Sequence, residues 1–194
     1  MTQNALRPPR EHPGARARPR QQCPSPWEAE RLRPLSRCQV MDRLPELGEM
    51  YAANSGAEPW RWDDLRLAFL GRLADDMRRP GFSLLVAENS TMTTACAYGF
   101  PLRAGLFAIR EIVVRPQVRR QSTDRDWNLA RRLQRRLLGE HADATGVTLV
   151  ARFDVPTLAA LRAWGWRDVS AGERWTPSAD PRRVLLLDPW PSPS

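Results

Sequence analysis

The nine residues Leu106–Val114, LFAIREIVV, are the most apolar stretch of the chain and read as a strand at the centre of a sheet. A strand of this kind has to be flanked by other strands and covered by helices. The rest of the chain supplies both, so a mixed α/β architecture is the expectation.

Before this strand, Arg37–Met41 reads as a short strand. Leu44, Leu47, Met50 and Tyr51 then recur at helical spacing until Asn54-Ser55-Gly56. Asp63 is placed to cap a second helix with the stripe Leu65, Phe69, Leu70, Leu73 and Met77, stopped by Pro80-Gly81. Phe82–Glu88 and Thr93–Phe100 read as strands joined by a turn at Asn89-Ser90. After Pro116 a polar stretch leads into a helix from about Asn128 to Gly139, with Leu129, Leu133, Leu137 and Leu138 on its apolar face. Val147–Arg152 is a strand, Pro156–Trp164 a helix, and Trp166–Ser170 and Arg183–Leu187 are strands. A strand meander followed by βα units predicts a mixed sheet with helices on both faces.

This domain spans residues 35–188. Residues 1–34 carry seven prolines with arginine between them and read as a disordered basic tail. Residues 189–194, with Pro189, Pro191 and Pro193, read as a second short tail. The chain carries a net charge of +8 and contains no lysine. Residues 1–37 hold eight arginines and three acids, and residues 38–194 hold 22 arginines and 19 acids. The domain is therefore near balance, which argues against a nucleic-acid partner, although a basic arm can serve one. No apolar run is long enough for a membrane span. Cys23, Cys38 and Cys96 are too scattered for a zinc or redox motif, and His12 and His141 are the only histidines. These features suit a cytoplasmic protein with free thiols and no metal site.

Three segments carry a family resemblance. Arg110-Glu111-Ile112-Val113-Val114-Arg115-Pro116 resembles a fourth strand with its trailing V-x-P. Asn128-Leu129-Ala130-Arg131-Arg132-Leu133 resembles the start of a diphosphate-binding helix. Asp154 through Trp166, with Leu161-Arg162-Ala163-Trp164-Gly165-Trp166, resembles the C-terminal N-x-x-A-x-x-x-Y-x-x-x-G-F segment. In this order they resemble the GNAT (Gcn5-related) N-acetyltransferase family across roughly residues 36–188.

The resemblance implies a fold in which the fourth and fifth strands splay apart to offer an edge to the pantetheine of acetyl-CoA. It also implies transfer of the acetyl group to a primary amine of a small molecule or peptide, without a metal, and it brings the expectation of a homodimer. It assigns the cofactor to Ile112, Val113 and Val114 on the strand, and to Arg120, Arg125, Asn128, Leu129, Ala130 and Arg131 at the phosphate loop and helix start. There, free N–H groups and the helix dipole favour an anion.

Two positions depart from the family pattern. Asn128 replaces the first glycine of the Q/R-x-x-G-x-G/A loop, and asparagine is the best non-glycine residue for a left-handed turn. Leu161 stands where a tyrosine often protonates the leaving thiolate, and leucine cannot do so. Glu111 aligns with a glutamate frequent in the family and is the candidate base, its pKa raised by partial burial. The competing structural reading, which carries the greater weight, pairs it with Arg110, Arg115 or another arginine, or hydrogen-bonds it to neighbouring backbone. Trp60 and Trp62 are open to two readings, acceptor pocket or core and loop staple. Trp164 and Trp166 read as core with some pocket lining, and Trp127 either covers the cofactor or plugs its site. The chain is thus read as an acetyltransferase, with a non-catalytic module binding acyl-CoA or a protein partner as the alternative.

Overall fold

The computed structural model describes residues 30–103, 105–116, 118, 123–141, 143–169 and 182–189, with the backbone alone for 123–128. Seven strands form one sheet: β1 (Arg31–Pro34), β2 (Ser83–Glu88), β3 (Thr93–Arg103), β4 (Leu106–Val114), β5 (Thr145–Ala151), β6 (Arg167–Asp168) and β7 (Arg182–Leu187). Their order is β1-β2-β3-β4-β5-β7-β6. Only β4 and β5 run parallel; every other pair is antiparallel. Helices α1 (Arg37–Asp42), α2 (Leu44–Asn54) and α3 (Trp62–Met77) precede β2. Helix α4 (Thr123–Gly139) connects β4 to β5, and α5 (Val155–Ala163) follows β5.

The sheet separates two cores. Along β2, Leu84 and Val86 face α1–α3, while Leu85 and Ala87 face α4 and α5. A strand buried on both sides therefore reads as a continuous apolar run. Leu129, Leu133 and Leu137 line one stripe of α4 and are fully buried. Each such leucine contributes about 1.5–3 kcal/mol relative to exposure. Phe69, Leu73 and Met77 do the same for α3, with Leu47 and Met50 of α2 packed beside them. None of the described helices is long and apolar enough to cross a membrane, and Cys38 and Cys96 are not disulfide-bonded.

Three expectations are corrected here. Arg37–Asp42 is a helix, not a strand, because Ser36 and Gln39 form a reciprocal capping box: Gln39 N–H donates to Ser36 Oγ at 3.3 Å and Ser36 N–H to Gln39 Oε1 at 2.9 Å. The first strand lies earlier, at Arg31–Pro34, inside the stretch read as a tail. It is tied to β2 by its pairing and by Arg33, whose Nε and Nη2 both reach the Glu88 carboxylate. Residues 1–29 and 190–194 lie outside the described residues. Helix α4 starts at Thr123, five residues before the expected Asn128.

Candidate functional site

The site begins with a register defect. On β3, Tyr98 opposes Glu111 while Gly99 opposes Ile109, so Arg110 is an extra residue on β4. Such a bulge bends its strand and increases the local twist. Gly99 is obligatory there, since a β-carbon would sit 2.2 Å from the Ala108 carbonyl oxygen and 2.5 Å from the Phe107 ring. On the opposite edge, β4 pairs with β5 only at Leu106–Thr145, Phe107–Gly146 and Ala108–Val147. Beyond Ala108 the two strands part. Thr148 Oγ1 donates to the Ile109 carbonyl at 3.1 Å at the point of divergence.

The fork opens into a cleft of about 620 Å³. One wall is β4 from Ile109 to Val114, and the facing wall is Thr148–Ala151 of β5. Ala130 of α4, with Asp154, Pro156, Thr157, Leu161 and Trp164, forms the side towards the later helices, and Asn54 closes the end towards α2. Asp154 caps α5 by accepting the Thr157 N–H at 3.2 Å, which fixes that helix against the cleft. Asn54 Oδ1 is buried with no hydrogen-bond partner among the described residues.

Glu111 is partly buried, and burial pushes its carboxyl up to about 7 against the pull of the Arg72 and Arg110 guanidiniums. The pairings considered from sequence are taken elsewhere. Arg110 Nε donates to Asp76 Oδ2 at 3.2 Å, and Arg115 Nη2 to Glu46 Oε1 at 3.1 Å. Among the described residues Glu111 has no ion-pair partner at salt-bridge distance; the Arg72 and Arg110 guanidiniums act on it only through their charge. Tyr98, its cross-strand partner, is buried in the α1–α3 core, where burial and the nearby Glu111 and Asp76 charges raise its pKa and keep the phenol neutral.

The expected cofactor residues divide. Ile112, Val114 and Ala130 line the cleft. The Val113 side chain packs into the α1–α3 core and Leu129 into the α4 core. Arg131 is partly buried, with its Nε unpartnered among the described residues. Arg120 lies outside the described residues, as do the side chains of Arg125, Trp127 and Asn128, and all of Trp175. The left-handed turn expected at Asn128 is absent: Asn128 is helical, and no non-glycine residue among those described has a positive φ. The amides of 128–131 therefore lie past the first turn of α4, where helix geometry commits them to carbonyls four residues back. The amides that the helix itself leaves unpaired are those at its start, 123–125.

Leu161 is buried against the α4 core and lines the cleft, so no proton donor stands at that position. Trp164 lines the cleft and Trp166 is core. Trp62 is a loop staple, its indole donating to the Ala57 carbonyl at 3.0 Å, while Trp60 is 78% exposed. The bulge at Arg110 was not anticipated, although a lone glycine inside a strand, Gly99, is its usual signal.

No protein-family model matches the chain, and no curated protein matches it in sequence. Solved structures do. PaiA N-acetyltransferase from Thermoplasma acidophilum, in complex with coenzyme A, superposes with a TM-score of 0.61 at 10% identity, over 82% of this chain and 98% of that one. Aminoglycoside 6'-acetyltransferase type Ii gives 0.59 at 16%, over 84% and 99%. The ribosomal-protein-S18-alanine N-acetyltransferase of Escherichia coli gives 0.56 at 16%, over 82% and 93%. The chain has the GNAT acyl-CoA N-acyltransferase fold, as its element order implied.

Proposed function

We propose that this chain is an N-acetyltransferase that moves an acetyl group from acetyl-CoA to a primary amine by direct attack. The observation that carries this reading is the fork, where β4 and β5 pair over three positions and then leave two open edges around a cleft. Unpaired strand edges need amide partners, and the pantetheine arm is a chain of amides. The volume of about 620 Å³ suits a ligand of that kind. One structural neighbour is a complex with coenzyme A, which supports the same ligand here. The diphosphate then belongs at the first turn of α4, where the unpaired amides of 123–125 and the helix dipole favour an anion. Arg125 belongs to that turn and Arg120 stands three residues before it in sequence.

Glu111 takes a proton from the acceptor ammonium, directly or through a water, and an acid with a pKa of about 7 is well matched to that task near neutrality. The freed lone pair attacks the thioester carbonyl carbon. A β4 backbone N–H on the open edge steadies the developing oxyanion. The C–N bond forms, the C–S bond breaks, and the thiolate leaves. Leu161 offers no proton, so the second proton of the attacking nitrogen, lost as the amide forms, passes through water to the departing thiolate, and Glu111 releases the first to solvent.

Calorimetric titration with acetyl-CoA, followed by thiol release with a panel of amines, tests this reading. Binding together with amine-dependent thiol release is expected, and absence of binding at millimolar ligand overturns it. Leu161 favours a second reading, a module that binds acyl-CoA or a protein partner without turnover. Binding with no thiol release from any amine selects that reading.

A further inference from the structure

A second cavity, of about 270 Å³, opens at the fork and is lined by Arg79, Phe100, Leu102, Leu149, Val184 and Arg110, among others. It shares Ile109, Arg110, Thr148 and Leu149 with the larger cleft, so the two meet where β4 and β5 part. The side chains of Arg79 and Arg110 are organised by one buried carboxylate. Arg79 Nε lies 3.3 Å from Asp76 Oδ1, and Arg110 Nε lies 3.2 Å from Asp76 Oδ2. Both guanidiniums also sit over the Phe100 ring, at 4.5 and 6.0 Å from its centroid.

Each arginine thus has its Nε fixed, and among the described residues no acceptor engages its terminal Nη groups. Two guanidiniums on one carboxylate leave a net positive charge, with donors already in place for a planar anion. The remaining lining, Leu102, Leu149 and Val184, is apolar. The cavity is smaller than the ~300–1,000 Å³ typical of drug-sized ligands, so it admits a compact group.

We propose that this cavity binds the carboxylate of the acceptor, making the substrate a small amino-carboxylic acid with an apolar side chain. The inference rests on the acetyl-transfer reading for the direction of its amine. The amine would face Glu111 on β4, and the carboxylate would lie on the Arg79–Arg110 pair beside it.

The test compares N-acetyl-L-leucine with its carboxamide, a pair differing only in the carboxylate, by direct titration of the full chain. The acid is expected to bind at least about tenfold more tightly, as a charge-assisted pair of hydrogen bonds implies. Arg79→Gln, at a side chain more than half exposed, should remove that preference while leaving the thermal melt near wild type. Equal binding of acid and amide, or binding of neither at millimolar concentration, overturns the inference. Thiol release with leucinamide as fast as with leucine also overturns it and leaves acetyl transfer standing. Acid-selective binding without thiol release from any amine does the reverse.

Discussion

The Thr148 hydroxyl donates to the Ile109 carbonyl across 3.1 Å at the crotch of the fork, one residue beyond the last paired position of β4 and β5. The bond satisfies a main-chain acceptor that would otherwise pair with the neighbouring strand. It therefore marks where sheet pairing ends and the cleft begins. The bulge at Arg110 does the complementary work from the β3 side.

Replacing Thr148 with the near-isosteric valine deletes this donor and leaves the Ile109 carbonyl unsatisfied. A loss of about 1–2 kcal/mol is expected, which for a chain of this size lowers Tm by about 2–8 °C. A thermal melt measures it. An unchanged Tm would mean that the β4–β5 pairing alone holds the crotch.

Gly99→Ala places a methyl group 2.2 Å from the Ala108 carbonyl oxygen, a main-chain atom that cannot rotate away. Destabilisation of about 3 kcal/mol or more is expected from urea denaturation. Gly71→Ala is the control: it lies in α3 with nothing within 4 Å of the added carbon, and should stabilise by about 0.5–1 kcal/mol. Similar effects for the two variants would remove the steric argument for the bulge.

The strands and helices that pack on both cores were legible because burial imprints a period. Leu106–Val114 matches its expected bounds, and Val155–Ala163 falls one residue from its expected span. β1 was not legible, since Arg31–Pro34 is an edge strand with one apolar side chain, Leu32, and a proline at its end. The polar start of α4, TDRDW, has no apolar repeat to announce a helix. The capping box at Ser36 and Gln39 was readable, but three apolar residues among five, Cys38, Val40 and Met41, resembled a strand. The candidate site was only half legible. Glu111 and the cleft-lining strand stood in one segment, whereas Arg110 joins the i,i+3 pair Asp76–Arg79 because a bulge on β4 turns it towards α3.

Leu161→Tyr tests whether the missing proton donor limits turnover. Leu161 both packs on the α4 core and lines the cleft, so a phenol there can reach the ligand space while its ring crowds the core. Faster thiol release at saturating substrates is expected, alongside a stability loss of about 1–3 kcal/mol from overpacking. A variant that keeps acetyl-CoA affinity but gains no rate would place the limiting step elsewhere.

Glu111→Gln separates a base from a packed carboxyl, because its effects on rate and on stability have opposite signs. The folded-state pKa of about 7 lies above the ordinary value of 4.5. Between those values the native state holds more protons than the unfolded chain, so stability falls as pH rises from 4.5 to 7 and stays lowered above it. The full difference is on the order of 3 kcal/mol. The glutamine variant carries no such penalty and should be more stable than wild type at pH 8, with the gap closing by pH 5, as read from denaturation at the two pH values. Wild-type thiol release should climb through about pH 7 as Glu111 deprotonates, and the variant should lose that limb together with about a hundredfold or more in rate. A variant that is stabilised at pH 8 yet keeps its full rate would retain the buried carboxyl and discard the base.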